Sequence, residues 1–167
     1  MLDRFGNGAY SDGYVVYTTI DGKAQIAARQ ALVNGLRTYD KRHGWRGPER
    51  QLPPREDEDE SELQERWRLA LKAMPVIVDL IPAIVTEVDS AGANVVTKSG
   101  EQHRLEWQDD LESIRRFRTE NLTSSAADSI EELLFVGDLI RIEWDAKSSN
   151  PRLAQVPRAQ AALVALD

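Results

Sequence analysis

Apolar residues in the first part of the chain recur at helical spacing. From Lys23 to Tyr39 they lie three and four residues apart, which predicts a helix with one buried face. Ser61 is a plausible N-cap for a second helix, which carries Trp67 on its apolar side and ends at Pro75. The β-branched and aromatic run at 14–20 predicts a strand ahead of the first helix.

Beyond residue 76 apolar and polar positions alternate, as in strands with one buried face. The pattern predicts a three-stranded meander, then a short helix, then two more strands. The predicted strands are 78–88, 94–98, 102–107, 139–144 and 152–156. This is the strand order of the OB-fold, a small five-stranded barrel. The predicted fold class is therefore mainly β with accessory helices, with an OB-fold five-stranded barrel at about 79–157.

Two further elements complete this prediction. Asp109 or Asp110 can cap a short helix that carries Phe117 on its inner face, between the third and fourth strands. The nearly continuous apolar run within 158–167 predicts a strand covered on both faces, which we expect to pair with the strand at 14–20. The barrel is then an insertion between the first helix and the last strand.

Composition excludes several classes of protein. The chain has 167 residues, 41% of them apolar and 29% charged, which is typical of one globular domain with extensions. It contains no cysteine, so disulfides, thiolate metal sites and cysteine nucleophiles are excluded. His43 and His103 have no further ligands at metal spacing, so no metal or other cofactor is predicted. No apolar stretch reaches the roughly 20 residues of a membrane span, so no membrane contact by this segment is predicted.

Charge is unevenly distributed along the chain, whose net charge is −7. The stretch from Lys23 to Arg50 carries seven basic and two acidic residues. A pair of prolines and an acidic run follow, and residues 49–60 are predicted to be disordered. Residues 79–157 contain 15 acidic and 8 basic side chains, so the predicted barrel is acidic. Its local exception is a basic and aromatic cluster, Arg115, Arg116, Phe117 and Arg118.

Two stretches resemble a known family. The residues YSDGYVVYTTID at 10–21 and YDKRHGWRGP at 39–48 closely resemble class A penicillin-binding proteins of the 1A type, which are bifunctional cell-wall synthases. In that family the matching stretch follows the glycosyltransferase domain and leads into the transpeptidase domain. Residues 160–167 resemble the first transpeptidase strand, and 1A-type members carry an OB-like domain where residues 79–157 lie here.

The resemblance implies a parent protein that is a peptidoglycan glycosyltransferase and D,D-transpeptidase. It places this parent at the periplasmic face of the bacterial inner membrane, anchored by a transmembrane helix outside the present sequence. Together with the composition and periodicity described above, it divides the chain into five segments. These are an interdomain linker and start of the transpeptidase region at 1–48, a disordered acidic linker at 49–60, a helix leading into the barrel at 61–75, an OB-like docking domain at 76–157 and the first transpeptidase strand at 158–167.

The family's catalytic motifs are missing from the sequence. Its transpeptidase serine lies in Ser-x-x-Lys, and none of the five lysines here follows a serine at that spacing. Residues 148–150 match Ser-x-Asn and residues 98–100 match a form of Lys-Thr-Gly, but they fall in a predicted turn and at a predicted hairpin tip. Glu56-Asp57 lacks the phenylalanine and histidine that follow the glycosyltransferase glutamate. No catalytic residue is therefore predicted.

The resemblance implies a non-catalytic regulatory and scaffold segment. In the family the OB-like domain docks an outer-membrane lipoprotein that activates the enzyme, and the flanking catalytic domains are its other partners. The docking residues predicted here are Trp107, Arg115, Arg116, Phe117 and Arg118. Exposed arginine beside an aromatic residue is common at protein interfaces, whereas the alternative for this cluster is a solvated helix end.

Two other functions remain open. Residues 85–89 and 137–140 also resemble RNA-binding OB domains, which favours a nucleic-acid-binding barrel. The acidic balance of residues 79–157 opposes this, because such sites need a basic groove and stacking aromatics, so no nucleic acid is predicted as a partner. An independent enzyme is third, with no nucleophile, metal site or phosphate loop to support it.

Overall fold

The computed structural model describes residues 4, 6–11, 13, 15, 19–107, 111–144 and 150–164. Two units are distinguished, Leu36–Gln160 and the remainder of the chain. The helices are α1 (Gly8–Ser11), α2 (Gly22–Arg42) and α3 (Glu60–Ala73), with a 3-10 turn at Ile130–Glu132. The strands are β1 (Arg50–Gln51), β2 (Ile81–Asp89), β3 (Gly92–Thr97), β4 (Gln102–Glu106), β5 (Arg115–Thr119), β6 (Leu122–Ala126), β7 (Asp138–Trp144) and β8 (Pro151–Ala154).

Strand β2 is the centre of an antiparallel sheet in the order β1-β7-β2-β3-β4, and β8 also pairs with β7. The meander and the last two strands therefore lie where the sequence predicts them, and the mainly β, OB-like fold is confirmed. Strands β4 and β8 lie close together, but no backbone ladder joins them within the described residues, so the sheet is not closed into the predicted barrel. The ring of His103 on β4 packs edge to face with the ring of Trp144 at the end of β7, with centroids 5.0 Å apart.

Both faces of the central strand are covered by apolar side chains. Ala83 and Val85 belong to a cluster inside the curved sheet, and Ile84 belongs to a second cluster beneath α3. Trp67 of α3 lies in the second cluster at 6% exposure, and its indole N–H donates to the Leu52 carbonyl at 2.9 Å, which confirms its predicted core role. This two-sided burial fixes the sheet register, because a slip of one residue would exchange the two faces.

The acidic segment, which we define as residues 49–62, differs from the predicted disordered linker at 49–60. Its first residues form β1 on the edge of β7, and Glu58 makes a two-pronged ion pair with Arg66, with both contacts at 2.6 Å. Asp59 rather than Ser61 caps α3, in a capping box with Glu62. The basic partners of this segment lie later in the chain, so its composition alone could not reveal them.

A hairpin replaces the helix predicted between the third and fourth strands. Asp109 and Asp110, its predicted caps, lie outside the described residues, and Phe117 lies on β5. Strands β5 and β6 pair around a two-residue turn at 120–121, with Thr119 opposite Leu122. Asparagine at such a turn and threonine on β5 and β6 favour this structure over a helix.

Helix α2 confirms the first predicted helix, but its apolar face is not fully covered. Ile26 is 72% exposed and Tyr39 51% exposed, whereas Asp40 near the helix end is only 4% exposed. The predicted strand at 14–20 lies largely outside the described residues. Residues 158–164 adopt no regular structure, so the strand predicted at 158–167 is not formed there, and the described residues give this segment no strand with which to pair. No described helix has the length and apolar character to cross a bilayer.

Candidate partner-docking surface

Four of the five predicted docking residues lie on one strand. We call residues 115–126, which comprise β5, β6 and their turn, the arginine hairpin. Arg115, Arg116 and Arg118 are exposed, and none of them forms an ion pair with the described part of the chain. Because they lie on a strand, the alternative of a basic helix end is wrong.

Phe117 is held in place by neighbouring groups. Its ring is half-buried, and the guanidinium of Arg158 lies over it, 5.8 Å from the ring centroid. This distance is typical of a cation–π contact. Phe117 therefore anchors the hairpin, and the arginines beside it form the exposed surface.

Trp107, the fifth predicted docking residue, belongs to neither strand of the arginine hairpin. It follows β4, packs half-buried against the cluster inside the sheet, and donates its backbone N–H to the Ala91 carbonyl at 2.8 Å. No hydrogen bond or ring contact joins it to the arginine hairpin among the described residues. The structure gives Trp107 a packing role at the end of the meander.

Trp45 fastens the arginine hairpin to the preceding chain. Its N–H donates to the Arg115 carbonyl at 2.7 Å, and the Phe117 N–H donates to the Trp45 carbonyl at 2.8 Å. Gly44 adopts φ +86°, and a Cβ there would lie 2.7 Å from the Arg115 oxygen. Glycine is therefore required for the close approach of these two backbones. Trp45 lies in the stretch at 39–48 that carries the family resemblance, but nothing in the sequence connects it with the hairpin.

A second contact set joins the segments that lead into and out of the OB-like sheet. Arg46 binds Asp40 through two hydrogen bonds of 2.7 and 3.1 Å and donates to the Val156 carbonyl at 2.7 Å. The Arg158 N–H donates to Asp40 at 3.2 Å, and the Arg46 N–H donates to Gln155 at 3.1 Å. We call these five residues the junction clamp.

The junction clamp and the arginine hairpin share contacts. Gln155 donates its side-chain amide to the Gly44 carbonyl at 2.9 Å, and Arg158 covers Phe117. Both Asp40 and Arg46 are largely buried, with side chains 6% and 13% exposed. Breaking this ion pair would leave an unpartnered charge away from water, which costs free energy, so the clamp is expected to stay closed. Only the stretch at 39–48 points to any of these residues in sequence.

The two stretches that resemble transpeptidase motifs lie at 98–100 and 148–150, and the first of them forms a turn. Lys98, Ser99 and Gly100 form the turn between β3 and β4, as predicted, and Ser99 donates to Glu101 at 2.8 Å. Lys98 donates to the Lys72 carbonyl at 3.2 Å. The serines at 148 and 149 lie outside the described residues. No cluster of three metal-ligating side chains occurs in the region that the structure describes.

These features define an OB-like domain with clamped ends and an exposed basic hairpin. Residues 45–159, more than half of the chain, match the family described as penicillin-binding protein OB-like domain, and the chain belongs to that family. The family is that of a non-catalytic domain, so the resemblance and the absence of catalytic motifs agree with the match.

Relatives match along the whole chain. It is 35% identical over 167 residues to penicillin-binding protein 1A of Pseudomonas aeruginosa and 32% identical over 170 residues to that of Escherichia coli. These matches cover 100% of this chain and 19% of each relative, so the chain spans about a fifth of their length. The crystal structure of penicillin-binding protein 1A from Haemophilus influenzae is similar with a TM-score of 0.66 and 30% identity, covering 94% of this chain and 21% of that one.

Proposed function

We infer that the chain is a regulatory and scaffold segment of a peptidoglycan synthase. In this proposal it positions a glycosyltransferase domain and a transpeptidase domain of its parent chain at the periplasmic face of the inner membrane. It also docks an outer-membrane lipoprotein activator through the arginine hairpin. Support comes from the family match and from relatives named penicillin-binding protein 1A along the whole chain.

The junction clamp is the observation that carries the positioning role. Asp40 and Arg46 precede the OB-like sheet, and Val156 and Arg158 follow it, yet the two segments are hydrogen-bonded to each other. A segment fixed at both ends in this way holds the chain before it and the chain after it at a set separation. Flexible linkers on either side would not do so.

The arginine hairpin supports the docking role. Arginine is favoured at protein interfaces because its guanidinium makes several directed hydrogen bonds and packs on apolar surface. Here three arginines stand exposed on a strand whose backbone is fixed by Trp45. The acidic balance of residues 79–157 favours a protein partner over nucleic acid.

Positioning is tested in the full-length parent synthase with Arg46→Ala. Removing this guanidinium leaves the buried Asp40 carboxylate without its main partner, and the clamp should open. We expect the ratio of peptide cross-linking to glycan polymerisation to fall. The matched control is Arg68→Ala, which removes an exposed ion pair with Glu65. A ratio equal to that of the parent for Arg46→Ala would contradict the positioning role.

Docking is tested by titrating the isotope-labelled chain with the soluble domain of the organism's lipoprotein activator at physiological salt. Amide shifts should centre on residues 115–126 and disappear in Arg116→Glu. Arg68→Glu, a charge reversal on the exposed side of α3, should leave them in place. The absence of shifts at high activator concentration would reduce the proposal to a spacer. Physiological salt matters because it screens weak contacts between exposed charges.

A further inference from the structure

Strand β6 has an unpaired edge. It pairs with β5 alone, so the hydrogen-bonding groups along its other side meet no strand in the described part of the chain. The opposite edge of β5 is already occupied at Arg116, which forms an isolated parallel bridge with Trp45. The arginine hairpin can therefore gain a third strand only beside β6.

This edge lacks the charged and proline residues that commonly protect an edge strand, although its pairing with β5 is irregular at two points. Exposed edge strands normally carry lysine, proline or an inward-pointing charge that keeps other chains away. The sequence of β6 is Leu-Thr-Ser-Ser-Ala, with no charged residue and no proline, and Leu122 at its start is 61% exposed. Its edge is thus chemically suited to accept another extended chain.

The charges next to this edge select the partner. Neighbouring strands lie about 4.8 Å apart, so a strand added beside β6 would lie about 10 Å from β5. An extended arginine side chain covers most of that distance, and the small side chains at 123–126 leave room for Arg116 or Arg118 to lie across β6. Carboxylates on the added strand would meet these guanidinium groups, and ammonium groups would be repelled.

We propose that the β6 edge binds an extended acidic peptide segment of a partner protein, which adds as a third strand to the arginine hairpin. This rests on the proposed docking role and specifies its chemistry: backbone hydrogen bonds provide affinity, and the arginines provide selectivity. A second copy of this chain is a poor occupant, because pairing of two β6 edges brings two sets of arginines together. Glu120 and Asp128 flank the strand, so the acidic side chains of the peptide belong in its middle.

The test uses the whole labelled chain and two synthetic ten-residue peptides. In one, glutamate alternates with valine, and in the other lysine replaces every glutamate. We expect the glutamate peptide to slow amide exchange along residues 122–126 at least tenfold and the lysine peptide to leave it unchanged. The double variant Arg116→Glu, Arg118→Glu should reverse this preference, which tests the charge argument without altering the edge.

A proline on the strand tests the edge itself. Ser125→Pro should abolish the slowed exchange, with unchanged amide shifts in β2–β4 as the check of folding. Ser61→Pro is the matched control, because proline is tolerated in the first turn of α3. Three outcomes would overturn parts of the proposal. Amide shifts caused by the glutamate peptide without slowed exchange in β6 would overturn strand addition and leave docking by charge alone. If the chain alone forms a dimer in which amide exchange along residues 122–126 is slowed, the occupant of the edge is a second copy of the chain and not an acidic peptide. Failure of the lipoprotein titration alone would overturn the proposed activator and leave the acidic-peptide site standing.

Discussion

The acidic segment and the arginine hairpin are both dense in charge, but they use it differently. In the acidic segment Glu49 binds Arg141, Glu58 binds Arg66, and Asp59 caps α3. The hydrogen bond from Arg66 holds the pKa of Glu58 below its usual range. In the hairpin the three arginine side chains are exposed and make no ion pair with the described residues. The charges of the acidic segment therefore stabilise the fold, whereas the arginines of the hairpin form no such pairs in the described part of the chain and carry the docking role only as proposed above.

The largest effect should come from the ion pair that ties the acidic segment to the sheet. Arg141 is 1% exposed, binds both oxygens of Glu49 at 2.7 and 3.2 Å, and donates to the Pro75 carbonyl at 2.5 Å. Because Arg141→Ala leaves these groups without their partner, we expect the free energy of unfolding to fall by about 3–5 kcal/mol. Urea unfolding measures it, and a loss below about 1 kcal/mol would contradict the structural role assigned to this pair.

A smaller effect is expected where the hairpin is fastened. Gly44→Ala places a Cβ 2.7 Å from the Arg115 carbonyl at a backbone with φ +86°, so we expect about 1–3 kcal/mol of destabilisation and shifted amides in β5. Gly47 has φ +93° with no atom within 4 Å of its Cβ position, so Gly47→Ala carries the backbone strain alone. Thermal unfolding measures the stability of both variants. Equal losses of stability would show that the close contact between Gly44 and β5 adds nothing to the cost of the Gly44→Ala substitution.

A pH-dependent difference should appear at Asp138, which accepts hydrogen bonds from Gln51 of the acidic segment and from the Phe135 N–H. Burial raises the pKa of this carboxyl, and the two hydrogen bonds act in the opposite direction. Its contribution to stability is complete below its ordinary pKa and is lost as pH rises through the raised value. Asp138→Asn should therefore gain stability relative to the parent as pH rises.

Urea unfolding of the parent and of Asp138→Asn from about pH 3 to pH 7 tests this prediction. The difference in their free energies of unfolding at each pH reports the contribution of the Asp138 carboxyl alone. A difference that stays constant with pH, or changes in the opposite direction, would argue against burial as the dominant cause.

The smallest effect belongs to the hairpin's exposed charges. Arg118→Ala removes no ion pair with the described residues, so the free energy of unfolding should change by no more than about 0.5 kcal/mol. Binding of an acidic peptide or of the activator should weaken in the same variant. A large loss of stability would mean that Arg118 serves the fold, and the contrast with the acidic segment would fail.

Much of the sheet could be predicted because β-branched runs and the alternation of apolar with polar residues are local signals in the sequence, and Gly100 marks the turn before β4. The burial differs from this pattern in β2 and β7, where four and five consecutive residues are buried because both faces of the sheet are covered. Residues 49–60 and the hairpin were predicted wrongly for opposite reasons. The former looks disordered in composition but is ordered by Arg66 and Arg141, and the latter has too few apolar residues to show a strand period.

The residues of the proposed docking surface could be singled out in part from the sequence. Arg115, Arg116 and Arg118 stand out in sequence because basic residues are rare in an acidic stretch. The junction clamp could not be found in this way, since Arg46 and Val156 are 110 residues apart and only the fold brings them together. Its one local sign is the stretch at 39–48, which contains Asp40 and Arg46.

The hydrogen bond between the Arg158 N–H and Asp40 joins residues 118 positions apart. A stretch of chain whose two ends meet can be lengthened, shortened or exchanged without displacing what comes before or after it. Because the clamp holds its two ends side by side, the OB-like unit can be exchanged as a whole. Recombination could replace the chain between Arg46 and Gln155 with another unit of closely spaced termini, while the clamp and the remaining architecture are inherited intact.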